Sequence, residues 1–212
     1  MLVTRRSAIA TGAAATLIGM ASPVRALTPT SDQELGPFYP VQHLADTDAD
    51  LTHVQGLAGT ANGTAINVVG RVLDIKGNPV SGARIEIWQA NAGGRYRHSG
   101  DMNNKVPIDP NFQGYAILRT DRSGNFKFRT IKPGAYQIPD GRWRTPHIHF
   151  DVSGHNERMV TQMYFPGEKL NETDFIFATA ASKPSVISRL DNALSGDPNT
   201  PAYGWDIVLV NG

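Results

Sequence analysis

Alternation of apolar and polar residues in short runs is the main pattern along the chain. Ile66, Val68 and Val72 mark a strand beginning at Ala65, and in Ala83-Arg-Ile-Glu-Ile-Trp88 the residues Ile85 and Ile87 alternate with Glu86. A period of two puts the apolar residues on one face, which predicts half-buried β-strands. The same reasoning predicts strands over residues 116–120, over 125–131, where Phe126 and Phe128 alternate with Lys127 and Arg129, around His147, over 159–165 and over 205–210. Turn-forming residues separate these runs: Lys76-Gly-Asn-Pro79, Lys132-Pro-Gly134, Pro166-Gly167, and Asp121-Arg-Ser-Gly124, which reads as a hairpin turn. Only residues 185–194 carry a helical pattern. The expected fold is all-β: an antiparallel β-sandwich over residues 65–212 with one short C-terminal helix.

Residues 27–64 have no sustained period and scatter Pro, Asp and Thr, so they read as an extended N-terminal arm. Within it, Leu35-Gly-Pro-Phe-Tyr-Pro40 sets two aromatics between prolines, where they pin the arm to the body or, alternatively, line a pocket mouth. Ahead of the arm, Arg5 and Arg6 precede an uncharged run over 8–21, and Val24-Arg25-Ala26 offers small residues at a cleavage position. This reads as a signal peptide over 1–26, and its paired arginines resemble the twin-arginine leader that exports folded, cofactor-loaded proteins, here to the periplasm. The leader's apolar run is too short for a bilayer of about 30 Å, and no later stretch approaches 18 uncharged apolar residues, so no membrane span is expected.

Charge and cysteine content narrow the chemistry. The 212 residues carry 20 basic and 19 acidic side chains. Removing the leader with its three arginines leaves the balance slightly acidic, which offers no basic field for nucleic acid. With no cysteine, thiolate zinc, iron–sulfur and thiol-nucleophile chemistry are all excluded. Any metal must be held by nitrogen and oxygen. His147-Ile-His149 then stands out, because an i, i+2 pair on a strand shares a face with roots roughly 6 to 7 Å apart, close enough for two imidazoles to meet one ion. The competing reading is two half-buried polar residues satisfied by neighbours. Tyr96 lies in the glycine-rich loop after Trp88, and Tyr136 follows the Pro133-Gly134 turn, at sandwich ends where sites are commonly built.

Taken together, Gly94-Arg-Tyr96, Thr130-Ile-Lys-Pro-Gly-Ala-Tyr136, Arg144-Thr-Pro-His147-Ile-His149 and Thr161-Gln-Met-Tyr-Phe165 resemble the motifs of the intradiol ring-cleavage dioxygenases. The similarity runs from about Leu35 to Gly167 and is nearest to the protocatechuate 3,4-dioxygenase type. It implies that Tyr96, Tyr136, His147 and His149 bind a non-haem ferric ion, a hard cation suited to two phenolates. Tyr136 matches the axial tyrosinate, which a catechol displaces and which then accepts its proton. Arg144 matches the arginine that stabilises negative charge on the ring, and Gln162 a polar residue near the dioxygen pocket. The implied substrates are a small catechol and O2, the broken bond lies between the two hydroxylated carbons, and the product is a cis,cis-muconate-type diacid. Family members pair similar chains, so a homo-oligomer fits the resemblance.

Two departures bear on substrate. Gln137-Ile138 follows Tyr136 where protocatechuate enzymes have Pro-Trp, so carboxylate recognition is expected to differ. The long helical N-terminal dimerisation segment of catechol 1,2-dioxygenases is missing. A different class also competes: Gly70-Arg-Val-Leu-Asp74 and Pro79-Val-Ser-Gly-Ala83 resemble non-catalytic transthyretin-like binding modules, in which the histidine pair would be structural or hold adventitious zinc or copper.

Overall fold

The computed structural model describes residues 26–41 and 45–212; apart from Ala26, the expected signal peptide lies outside the described residues. Among the described residues eleven strands follow one another in chain order. They are β1 (Ala65–Asp74), β2 (Arg84–Trp88), β3 (Tyr115–Arg119), β4 (Asn125–Ile131), β5 (Tyr136–Gln137), β6 (Trp143–Arg144), β7 (His147–Ser153), β8 (Arg158–Tyr164), β9 (Arg189–Leu190), β10 (Ala202–Gly204) and β11 (Ile207–Leu209). One sheet is built on β1, which pairs antiparallel with β4 on one side and parallel with β10 and then β11 on the other, while β9 extends it beyond β10. The other sheet runs β3-β2-β7-β8 and is antiparallel throughout. The all-β sandwich is therefore present, with the parallel strand pairs formed by the C-terminal strands at β1.

The core lies between the sheets and follows from the alternation. Ile85 and Ile87 of β2, Phe126 and Phe128 of β4, and Ile148, Phe150 and Val152 of β7 belong to one buried cluster. Phe150 meets Phe126 and Phe128 from the opposite sheet at 6.2 and 6.0 Å between ring centroids, and Trp205 at 4.9 Å. Burial of each such side chain contributes roughly 1.5–3 kcal/mol.

Gly70 is fixed by close approach. A Cβ there would stand 1.8 Å from the Trp205 carbonyl oxygen, at the junction where β1 changes partner from β10 to β11. Gly70→Ala is expected to force that backbone aside and cost about 2–3 kcal/mol, read as an earlier midpoint in urea unfolding; an unchanged midpoint would contradict the contact.

Two local expectations are corrected. Asp121-Arg-Ser-Gly124 is not a hairpin turn but a crossover, because β3 and β4 belong to different sheets. The Asp121 carboxylate accepts from the Ser123 and Asn125 N–H groups and shapes the turn, but such local chemistry carries no information about which sheet receives the next strand. The short helix expected over 185–194 is also absent. Single 3₁₀ turns at Lys183–Ser185 and Asn192–Leu194 flank β9 instead. Tyr164 at the end of β8 donates its N–H to the Val186 carbonyl and accepts from the Ser188 N–H, so a sheet edge uses the backbone groups that a helix would need.

β7 is buried on both faces from His147 to Asp151. Its even-numbered residues face the core, and its outer face is covered by the arm and by the loop after β2. Arm residues bond along β8: the Gln33 N–H donates to the Val160 carbonyl, Thr161 Oγ1 to the Ser31 carbonyl, and Gln162 Nε2 to the Glu34 carbonyl. Tyr39 then donates its hydroxyl to the buried Glu86 carboxylate at 2.7 Å, which Tyr115 and Arg84 also engage. Burial alone would raise the Glu86 pKa, but these hydrogen bonds hold it below the ordinary glutamate value.

Candidate metal centre

Strand register builds the site. His149 lies opposite Trp88 of β2 and opposite Gln162 of β8, while His147 lies opposite Tyr164. One row across the outer face of the sheet therefore reads Trp88, His149, Gln162, and the Trp88 indole stacks on the His149 ring at 4.8 Å and 8°. The β5–β6 pair adds two more residues, since its register sets Arg144 directly opposite Tyr136. Three residues after Arg144 the chain enters β7 at His147, so a single short hairpin fixes Tyr136 and Arg144 relative to the histidines.

Tyr96 arrives from the loop after β2. Asn91 Oδ1 accepts from the Gly93 and Arg95 N–H groups and folds that loop, and the Tyr96 N–H donates to the Asp101 carboxylate at 2.8 Å. The Tyr96 hydroxyl comes to 3.4 Å from His147 Nε2, which is 3.2 Å from His149 Nε2. Tyr136 packs against Tyr96 and His147, its ring perpendicular to that of Tyr96 with centroids 5.5 Å apart and 5.7 Å from the ring of His147. All four side chains named from the sequence thus meet in one buried place. Arg95 and Arg97, which flank Tyr96, are occupied by loop carbonyls and serve the loop's shape.

Protonation and donor chemistry fit a hard cation. His147 Nδ1 lies 2.6 Å from the Thr145 carbonyl, which only accepts, so Nδ1 carries the proton and Nε2 presents its lone pair to His149. Burial, reinforced by the Arg144 charge, pushes both imidazoles well below their ordinary pKa and keeps them neutral, as ligation requires. Burial likewise raises both phenols, Tyr96 well above its usual value. A trivalent cation at their oxygens would reverse that shift. Among the described residues no three His, Cys, Asp or Glu side chains are grouped to hold a metal, so any ion here depends on the phenols. Two phenolates and two imidazoles suit ferric iron better than a ferrous triad or a thiolate zinc site.

Arg144 is no surface ion pair. Its Nε donates to Asp174 at 2.9 Å, with side chains 6% and 0% exposed, and its Nη2 donates to Gln162 Oε1 at 2.5 Å. Gln162 Oε1 also accepts from the Tyr164 hydroxyl. Asp174 completes its shell with the N–H groups of Thr145, Ile176 and Phe177. The guanidinium is therefore held rigidly next to Tyr136, where its charge opposes the effect of burial on that phenol. Asp174 was not foreseen; a lone acid in a loop thirty residues from its partner leaves no periodic or spacing signal.

The arm closes the site from outside. Phe38 stacks on Tyr96 with centroids 4.7 Å apart, and a Cβ on Gly36 would come within 3.2 Å of His149 Cε1. Phe38 and Tyr136 also border a cleft of about 420 Å³ that opens between Ile138, Trp143 and Asn104. The aromatics of the arm therefore do both things considered for them: Tyr39 pins the segment and Phe38 lines a pocket.

Comparison with known proteins places these residues in context. A family model described as dioxygenase matches residues 35–211. The protocatechuate 3,4-dioxygenase beta chain of Burkholderia cepacia is 41% identical over 196 residues, covering 88% of this chain and 83% of that one. A hydroxyquinol 1,2-dioxygenase of Rhizobium sp. (strain MTP-10005) is 32% identical over 185 residues, 81% of this chain but only 59% of that longer protein. Among solved structures, the dioxygenase domain of a dioxygenase carbohydrate-binding protein fusion from Streptomyces sp. SirexAA-E superposes with a TM-score of 0.64 at 27% identity, over 86% of this chain and 99% of that one. The 3-chlorocatechol 1,2-dioxygenase of Rhodococcus opacus 1CP shares the fold, with a TM-score of 0.66 at 22% identity over 89% and 74%.

Proposed function

This chain belongs to the intradiol ring-cleavage dioxygenases, and on that premise we propose that it is an exported non-haem ferric enzyme acting on a catechol and dioxygen. The carbon–carbon bond between the two hydroxylated carbons breaks, and each oxygen atom of dioxygen ends in one of the two new carboxyl groups of a muconate-type product. Supporting this reading above all is the convergence of Tyr96, His147 and His149 within 3.4 Å contacts, with the Tyr136 ring packed against Tyr96 and His147. Export to the periplasm by the twin-arginine route is part of the proposal and rests on the leader sequence.

Tyr96, Tyr136, His147 and His149 would hold the iron. When bound, a ferric ion supplies Lewis acidity that makes a catechol ring reactive toward dioxygen. The remaining work falls to the chain. Tyr136 borders the cleft, so its phenolate oxygen is placed to take a proton from an entering catechol hydroxyl. Arg144, fixed opposite it, offsets negative charge that develops on the ring and cannot deprotonate. Gln162 holds Arg144 through Oε1 and the arm through Nε2. Phe38 and the backbone at Gly36 exclude water from the metal ligands.

Tyrosinate bound to ferric iron absorbs visible light. The iron-loaded protein should therefore be coloured, with a band that shifts when catechol is added without oxygen; a colourless protein carrying a full complement of iron would overturn the ligand assignment. Tyr136→Phe is expected to keep part of its iron and to consume oxygen about a hundredfold more slowly, as measured with an oxygen electrode.

A further inference from the structure

We propose that the cleft beside Tyr136 selects catechols carrying a neutral, apolar substituent, with Trp143 as the platform on which that substituent lies. This inference rests on the ring-cleavage reading above and names the substrate class of the same site.

Size is the first argument. An apolar cavity of roughly 150 Å³ holds a benzene ring. The cleft measures about 420 Å³ and shares Tyr136 with the donor cluster, so a catechol whose hydroxyls face the donors leaves most of the space open to a group on the far side of its ring.

Charge decides which group. Among the described residues that line the cleft, Asp101 carries the single carboxylate and there is no lysine or arginine. The arginines of adjoining segments are committed elsewhere: Arg144 to Asp174 and Gln162, Arg142 to Asp140 and the face of Phe175, and Arg95 to Asp101 and the Asn104 carbonyl, while Lys105, between Asn104 and Val106, is exposed and outside the lining. A ring carboxylate placed here would give up water with no cation in the lining to receive it, beside the carboxylate of Asp101. An alkyl or aryl group carries no such cost and gains burial.

The third argument is Trp143 itself. It is 48% exposed, belongs to none of the buried clusters, and stands on the cleft wall with Ile138 and Pro139. Its backbone pairs with Gln137, so the indole is held on a strand rather than on a free loop. An aromatic with that much exposed surface at the mouth of a site contributes little to the fold and offers a flat face to a second ring.

The test compares 4-phenylcatechol with protocatechuate on the purified full-length protein. Under argon, so that no turnover occurs, titrations followed by tryptophan fluorescence should show 4-phenylcatechol binding at least tenfold more tightly. Trp143→Ala should shrink that preference about fivefold. In air, kcat/KM from oxygen uptake should favour 4-phenylcatechol by a similar factor, and Ile138→Arg should shift the ratio toward protocatechuate about tenfold. Equal or tighter binding of protocatechuate to the unaltered protein, or a preference that Trp143→Ala leaves intact, overturns the inference. If iron-loaded protein consumed no oxygen with any catechol, the ring-cleavage reading would fail instead, while the binding titrations would still judge the cleft.

Discussion

His149→Ala is expected to cost the protein its metal: bound iron should fall from about one per chain to below a tenth of that, and ring cleavage should vanish with it. The imidazole lies between the Trp88 indole, stacked at 8°, and the arm backbone at Gly36. Nδ1 of His149 has no partner among the described residues, and removing the ring therefore breaks no hydrogen bond except the contact to His147. The variant should fold, at a cost of about 2–4 kcal/mol for the cavity. Elemental analysis together with the thermal unfolding midpoint separates metal loss from misfolding. A folded variant with wild-type iron would remove His149 from the ligand set.

Asp174→Asn should lower kcat by a factor of about 10² to 10³. Removing one partner of a buried ion pair leaves the other charge uncompensated, which typically costs about 3–5 kcal/mol, and Arg144 would then be free to move away from Tyr136. Asp174 also accepts from three backbone N–H groups, so stability will fall whether or not the residue acts through the arginine. A double-mutant cycle distinguishes the two roles. If Asp174 works by positioning the guanidinium, Asp174→Asn should barely slow turnover further in an Arg144→Gln background, while its effect on the unfolding midpoint persists. Fully additive losses of rate in the two backgrounds would reduce Asp174 to a support of the local turns.

Much of the fold was legible in the chain because period-two alternation reports directly which residues enter a core. Ile85, Ile87, Phe126, Phe128, Ile148 and Phe150 all lie where that pattern puts them. Connections were less legible. Asp121 organises its turn in the same way whether the next strand returns to its neighbour or crosses to the other sheet, and residues 186–188 satisfy a helical pattern until Tyr164 claims their backbone. The histidine pair was visible in its own spacing. Tyr96 and Tyr136 carried no such local mark and emerged only through the resemblance of several motifs together, because forty residues separate the two in sequence and only the folding of the loop after β2 brings Tyr96 to the β5–β6 pair. Asp174 and the stacking of Trp88 on His149 depend wholly on tertiary contact.

The two buried faces of β7 have a consequence for how this protein can vary. Ile148, Phe150 and Val152 alternate with His147, His149 and Asp151, and hydrogen-bonded registers with β2 and β8 clamp the strand on both edges. A single-residue insertion or deletion ahead of His147 within that frame would turn aliphatic side chains toward the phenols and imidazoles toward Phe126 and Phe128. Descendants of this sequence can therefore exchange side chains along the strand one by one, but they cannot change its length without surrendering cofactor and foldedness in the same step.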